Sequence, residues 1–174
     1  YWSQRSNNIT IPTDCPTREK AGWTGDVVVY GATALFNQNM TAFYEDWLRS
    51  IRLDQLENGY VLGTVPQIRN YVQQGDTGSL GWGDVILTLP FQLYQLCGDK
   101  EVLQANYEAM GKWMQSMECA ANELPSEAVP YGGAQIEQNC DERSLENQRY
   151  LINTGFHFGD WIIPSVVNEE GFTD

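Results

Sequence analysis

Apolar residues recur at helical spacing in four stretches of the chain, and no stretch shows the sustained alternation of a half-buried strand. Val27 to Phe36 is largely apolar, which predicts a short helix buried on all sides, with Asp26 as its candidate N-cap. After Asn39, a second candidate cap, Met40, Phe43, Trp47 and Ile51 recur at intervals of three and four until Asn58-Gly59 stops the run. A third helix opens at Asp84 and runs through Leu96 to a stop at Gly98, with Pro90 either kinking it or lying near its first turn. The fourth follows Asp99 as cap: Leu103, Tyr107, Met110, Met114 and Met117 form one apolar stripe, expected to pack in the core, and Leu124-Pro125 ends it.

The connections at 9–25, 59–83 and 125–158 are long and rich in Gly, Pro, Asn and charge. Loops of that length in a compact helical chain usually carry function. Paired helices joined alternately by short and long loops predict an all-α helical toroid whose long loops gather at one face, so 9–25 and 59–83 should lie at the same end. The chain has 174 residues, enough for a single domain that buries roughly 70% of its unfolded surface.

Charge narrows the partners. A net charge of −13 and a pI near 4.3 argue against nucleic acid and anionic membrane surfaces, and no apolar run reaches the length of a membrane span. Six Trp and nine Tyr beside abundant carboxylates suit neutral sugars, whose hydroxyls donate to carboxylates while their C–H faces stack on rings; the plainer account is that the charge keeps the protein soluble. Cys15, Cys97, Cys119 and Cys140 lack metal-site spacing and read as free thiols, with Cys97 and Cys119 as small core residues, while their even number leaves a disulfide open in an oxidising compartment. No metal or other cofactor is expected, and His157, the sole histidine, leaves no histidine-based triad or two-histidine metal site. Asn8-Ile9-Thr10 and Asn39-Met40-Thr41 fit the glycosylation tripeptide, which matters only in a secreted protein.

The densest candidate site is Thr13 to Asp26, where Asp14, Glu19 and Asp26 share one segment with Arg18 and Trp23. Hydrolysis of a glycosidic bond needs one protonated carboxylic acid and a second carboxylate. Crowded carboxylates raise the pKa of at least one member, and so let an acid keep its proton near neutrality. Pro16, Gly22 and Gly25 suggest a shaped loop rather than a solvated acidic stretch.

Ile11-Pro12-Thr13-Asp14-Cys15-Pro16-Thr17-Arg18-Glu19, followed by Gly22-Trp23-Thr24-Gly25-Asp26, closely resembles the signature of bacterial and fungal α-L-rhamnosidases of glycoside hydrolase family 78. Trp47-Leu48, Val65-Pro66, Gly81-Trp82-Gly83-Asp84 and Phe158-Gly159-Asp160-Trp161 extend the resemblance across nearly the whole chain. It implies an (α/α)6 barrel and hydrolysis of terminal α-L-rhamnosyl linkages with inversion. By position, Glu19 would be the general acid; Asp14, Arg18 and Asp26 would bind the rhamnose hydroxyls; and Trp23, Trp82 and Trp161 would line the sugar pocket. Many members carry one more residue and two acidic side chains between the Arg and Gly of this motif, whereas Lys20-Ala21 leaves Glu19 as the only carboxylate there. Each Trp could equally belong to the core, and Asp84 and Asp160 could do no more than cap helices.

The family's catalytic base is a Glu farther along the barrel, expected beyond Asp174, and a six-hairpin barrel needs more helices than this chain supplies. The chain therefore reads as roughly the first half of a toroid, inactive alone, with an exposed apolar surface that would favour self-association. Two other readings remain: a non-catalytic carbohydrate-binding or scaffold module that keeps the pocket without the base, and another (α/α)6 glycosidase acting on a different sugar.

Overall fold

A computed structural model describes residues 1–68, 78–122, 150 and 152. The chain divides into two compact units, 1–116 and 117–174. Five helices form among the described residues: α1 (Trp2–Asn7), α2 (Thr24–Asn37), α3 (Thr41–Asp54), α4 (Val85–Cys97) and α5 (Glu101–Asn122). No strand accompanies them, only the isolated bridges Asn8 to Pro12 and Trp23 to Thr64, and no helix there is long and apolar enough to cross a membrane. The all-α expectation holds, with α1 as an addition.

Four cap assignments meet the structure differently. Asp99 caps α5 as predicted, its Oδ1 accepting from the N–H groups of Glu101 and Val102 at 2.9 and 3.2 Å. Asn39 does similar work one residue ahead of the N-cap position, taking the Thr41 N–H at 3.2 Å. Asp26 does not cap: α2 starts at Thr24 with Trp23 in the cap position, which leaves Asp26 in the first turn, where the helix dipole favours a negative charge. Asp84 stands at the N-cap of α4 but bonds elsewhere: its oxygens take the Gly81 N–H and the Trp113 indole N–H.

At the other end of α4, Gly98 takes a left-handed φ of 72° and returns its N–H to the Tyr94 carbonyl. Pro90 sits in the helix interior, buried in the face that packs the core.

The core of the first unit is built from Tyr44, Trp47, Leu48 and Ile51 of α3, Val85, Ile86, Leu89 and Leu93 of α4, Trp113 of α5, and Val61, Leu62 and Val65 of the 59–68 segment. α2 packs mainly on α4 and approaches it closely at Gly31, where a Cβ would fall 2.6 Å from Gln92 Oε1. α1 is tied to α2 by one buried polar side chain: Gln4 donates to the Ala34 carbonyl at 3.1 Å and accepts from Tyr30 and Asn37. Burial is confined to part of α2, including Thr24, Gly25, Val27, Gly31 and Ala34, whereas Val29 and Phe36 are exposed; the expected burial on all sides is not found.

α5 also turns a different face inward. Val102, Asn106, Ala109, Trp113 and Ser116 are buried, as is Met117 of the expected stripe, while Tyr107 is 77% and Met114 55% exposed. Polar bonding decides this register: Asn106 Oδ1 accepts from Arg52 of α3, and Ser116 Oγ donates to the Asn58 carbonyl. Cys97 and Cys119 are exposed rather than in the core, and with half-buried Cys15 they are free thiols. Thr41 Oγ1 meets Cys97 Sγ at 3.5 Å.

Candidate functional site

The two early long loops do lie together. Thr24 N–H donates to the Gly63 carbonyl at 2.8 Å and Val65 N–H to the Gly22 carbonyl at 2.9 Å, while Thr24 Oγ1, fully buried, lies 3.1 and 3.0 Å from the Leu62 and Gly63 carbonyls. The contact is tight enough that a Cβ on Gly22 would fall 2.1 Å from the Val65 carbonyl oxygen. From below, the Trp47 indole N–H holds the same carbonyl at 3.0 Å. Two short motifs far apart in sequence, Trp47-Leu48 and Val65-Pro66, thus meet under the loop that carries the acidic residues.

That loop is folded on itself. Lys20 adopts a left-handed φ of 56° and returns its N–H to the Cys15 carbonyl at 3.1 Å, and Asp14 N–H reaches the Ala21 carbonyl at 3.2 Å. Asn7, at the end of α1, braces the entry by donating to the Asp14 carbonyl at 2.9 Å and accepting from Thr13 N–H at 2.8 Å. The result is convergence: a carboxylate oxygen of Asp14, the Cys15 sulfur and a carboxylate oxygen of Glu19 all lie within 4.8 Å of one another. These are the described residues grouped closely enough to hold a metal ion, yet they are largely bonded to their neighbours. Glu19 accepts from Arg18 on Oε1 and from the Trp23 indole on Oε2 at 2.9 Å, and Cys15 Sγ takes the Glu19 N–H. Asp14 Oδ1 differs, being buried without a hydrogen-bond partner among the described residues, and such a group is normally satisfied by water or a ligand.

Beside this cluster a groove of about 860 Å³ opens along the start of α2. Asp14, Asp26 and Trp82 line it with Asn7, Tyr30 and Tyr44. Trp82 lies against Gly25, where a Cβ would come within 2.7 Å of the indole. Partial dehydration, and then the nearby charges of Asp14 and Glu19, push the Asp26 carboxyl above its usual range. Burial pushes the Tyr44 phenol up as well, so it remains a neutral hydroxyl.

Of the residues picked out by sequence, Asp14, Asp26 and Trp82 therefore share the groove, and Glu19 stands next to Asp14 behind it. Trp23 is half-buried and braces Glu19 instead of lining the groove. Arg18, its side chain 72% exposed, pairs with Glu19 and does not line the groove either. Trp161 lies outside the described residues. Asn7, Tyr30 and Tyr44 were not anticipated: α1 gave no periodic signal, and an aromatic on a helix reads first as core.

The sequence profile of the bacterial alpha-L-rhamnosidase 6 hairpin glycosidase domain matches residues 1–174. The chain belongs to this family. An alpha-L-rhamnosidase of Formosa agariphila is 41% identical over 114 residues, covering 65% of this chain and 12% of its own length. One from an Alteromonas species is 33% identical over 164 residues, 94% of this chain and 14% of that protein. Among solved structures, the alpha-L-rhamnosidase of Dictyoglumus thermophilum superposes with a TM-score of 0.65 at 35% identity over 75% of this chain and 14% of its own. The Streptomyces avermitilis alpha-L-rhamnosidase complexed with L-rhamnose gives 0.64 at 32% identity over 73% of this chain and 12% of its own. The rhamnosidase-family chain thus spans about an eighth of the relatives it matches, and its helical architecture fits their (α/α)6 domain.

Proposed function

We propose that this chain forms the N-terminal portion of the catalytic barrel of an α-L-rhamnosidase, and that the protein hydrolyses terminal α-L-rhamnosyl linkages with inversion. The observation that carries the reading is the convergence of Asp14 and Glu19 beside a groove lined by Asp26 and Trp82, in a chain of this family. A ring bound there would give its hydroxyl protons to Asp14 and Asp26 and its C–H face to Trp82. The unpartnered, buried Asp14 oxygen supports this, because a sugar hydroxyl would satisfy it. L-rhamnose in a relative's crystal structure supports the choice of sugar.

Glu19 is assigned as the proton donor to the glycosidic oxygen. Its carboxyl group is held in place by Trp23 and Arg18, which fixes its position beside Asp14. Arg18 then acts by steadying Glu19 as well as through any contact of its own with the sugar. Asp14 is a poor candidate for the water-activating base. Inverting pairs stand about 6.5–9.5 Å apart to admit the water, and Asp14 and Glu19 approach within 4.8 Å. The base is therefore assigned to a residue other than Asp14.

The test is Glu19→Gln in the full-length protein, assayed on one rhamnoside whose leaving group departs without protonation and one whose leaving group needs it. Loss of the acid should lower the second rate by about a hundredfold or more and spare the first. Equal losses on both, with a lower melting temperature, would instead make Glu19 a structural partner of Arg18 and overturn the assignment.

A further inference from the structure

We propose that Asp84 is a positioning residue for the sugar site: by gripping Gly81 and Trp113 it holds Trp82 in place as the aromatic wall of the groove. The inference rests on the sugar-binding reading above and adds to it a residue that does not itself line the groove.

Trp82 rides on a short turn between residues 78 and 84. Gly81 takes a left-handed φ of 81°, and the N–H groups of Trp82 and Gly83 both reach back to the Ser79 carbonyl, at 3.2 and 2.9 Å. Asp84 closes the loop from both sides. Its Oδ2 accepts the Gly81 N–H at 2.9 Å, immediately before Trp82, and its Oδ1 accepts the Trp113 indole N–H at 3.0 Å. Trp113 is a firm anchor, fully buried in α5 and packed so closely under the turn that Cβ atoms on Gly78 and Gly83 would fall 2.7 and 2.3 Å from its ring.

On the far side, Trp82 meets Gly25 in the first turn of α2, one residue from Asp26. A single carboxylate thus links a core tryptophan to a groove tryptophan. Both of its oxygens are needed. An amide in its place offers one acceptor and one donor, so Asn would leave either the Gly81 N–H or the Trp113 N–H facing an NH2 group. Helix capping, the alternative role of Asp84, is not served, since the side chain makes no cap hydrogen bond.

The experiment uses the full-length protein with L-rhamnose as the probe in calorimetry and an aryl rhamnoside for kinetics. Asp84→Asn and Trp113→Phe break the same link from opposite ends, and Trp113→Phe keeps a large ring in the core. Each should weaken L-rhamnose by about three- to tenfold and raise KM by a similar factor with a smaller change in kcat, and the double variant should be no worse than the weaker-binding single. Trp82→Ala should weaken binding at least as much.

If Asp84→Asn and Trp113→Phe lower the melting temperature but leave affinity within about twofold while Trp82→Ala weakens it, Asp84 is only a fold staple. The positioning role then falls while the sugar site stands. If Trp82→Ala and Asp14→Ala also leave affinity unchanged, the sugar-site reading falls with it.

Discussion

Gly25→Ala probes the groove with the smallest possible change. Gly25 lies in the first turn of α2 with its Cα against the Trp82 indole, and an added Cβ would stand 2.7 Å from Cε2 and Nε1 and 2.8 Å from Cδ1. Ordinary contact begins near 3.4 Å, so the ring must withdraw by 3.4 − 2.7 ≈ 0.7 Å. Three ring atoms crowd the methyl at once, and an indole cannot bend away at one atom. Two effects of opposite sign act on stability: the overpacking costs about 1–3 kcal/mol, and Ala for Gly in a helix returns up to about 1 kcal/mol. A net loss of about 0–3 kcal/mol leaves a large domain folded at 25 °C. Binding should suffer more than stability, because a misplacement of about 1 Å in a positioned site can cost as much as a hundredfold. The assay is the melting temperature of the full-length protein beside KM and kcat on an aryl rhamnoside. Catalytic efficiency should drop at least tenfold with the melting transition moved by only a few degrees. Full efficiency in a folded Gly25→Ala protein would refute the claim that Trp82 must lie where Gly25 permits it.

Gly22→Ala should behave in the opposite way: the methyl would meet the Val65 carbonyl oxygen, a backbone atom held by Trp47, and force apart the segments joined by the Gly22–Val65 and Thr24–Gly63 hydrogen bonds. A loss of about 2–5 kcal/mol from strain and broken bonds should appear in calorimetry as an early or missing barrel transition; an unchanged transition would mean that the bridge yields freely. Asp26→Asn tests the electrostatics. Because burial, Asp14 and Glu19 raise the folded-state pKa of Asp26, its contribution to stability is fully present below the ordinary carboxylate range and is lost as pH rises through the raised value. The Asn variant should therefore gain in melting temperature relative to the parent as the pH is taken from about 4 to 7, while rhamnoside KM rises; a pH-independent difference would contradict the shift.

The acidic loop was legible because its chemistry is written locally. Asp14, Glu19 and Asp26 share one segment with the glycines that shape it, and the contact with residues 62–65 agrees with the loop pattern that puts 9–25 and 59–83 at one end. The helices were legible wherever an apolar face exists. α1 escaped because Trp2–Asn7 has no apolar period; its single buried residue is Gln4, placed by hydrogen bonds to Ala34, Tyr30 and Asn37. The face of α5 was misread for a related reason. Leu103, Tyr107, Met110, Met114 and Met117 form the more apolar stripe, of which Met117 is buried, but two polar residues on another face, Asn106 and Ser116, find partners in Arg52 and the Asn58 carbonyl, and Trp113 finds Asp84. Periodicity counts apolar residues and cannot see that a buried polar group has found its partner.

The same blindness hides Asp84. Before a run of apolar residues, an Asp reads as an N-cap, and its backbone does occupy that position in α4. What sets it apart is a residue 29 positions later, Trp113, whose indole N–H must be satisfied once the ring is fully buried. The turn residues around it are then constrained from below: Gly78 and Gly83 are small because Trp113 fills the space of their missing side chains, and Gly25 is small because Trp82 fills the space of its own. Read singly, these glycines are turn signals. Taken with the two tryptophans, they trace one path of packing from α5 through Asp84 to the groove, so the place of Trp82 in the groove is set by the core at the same time as that of Asp14 is set by the loop.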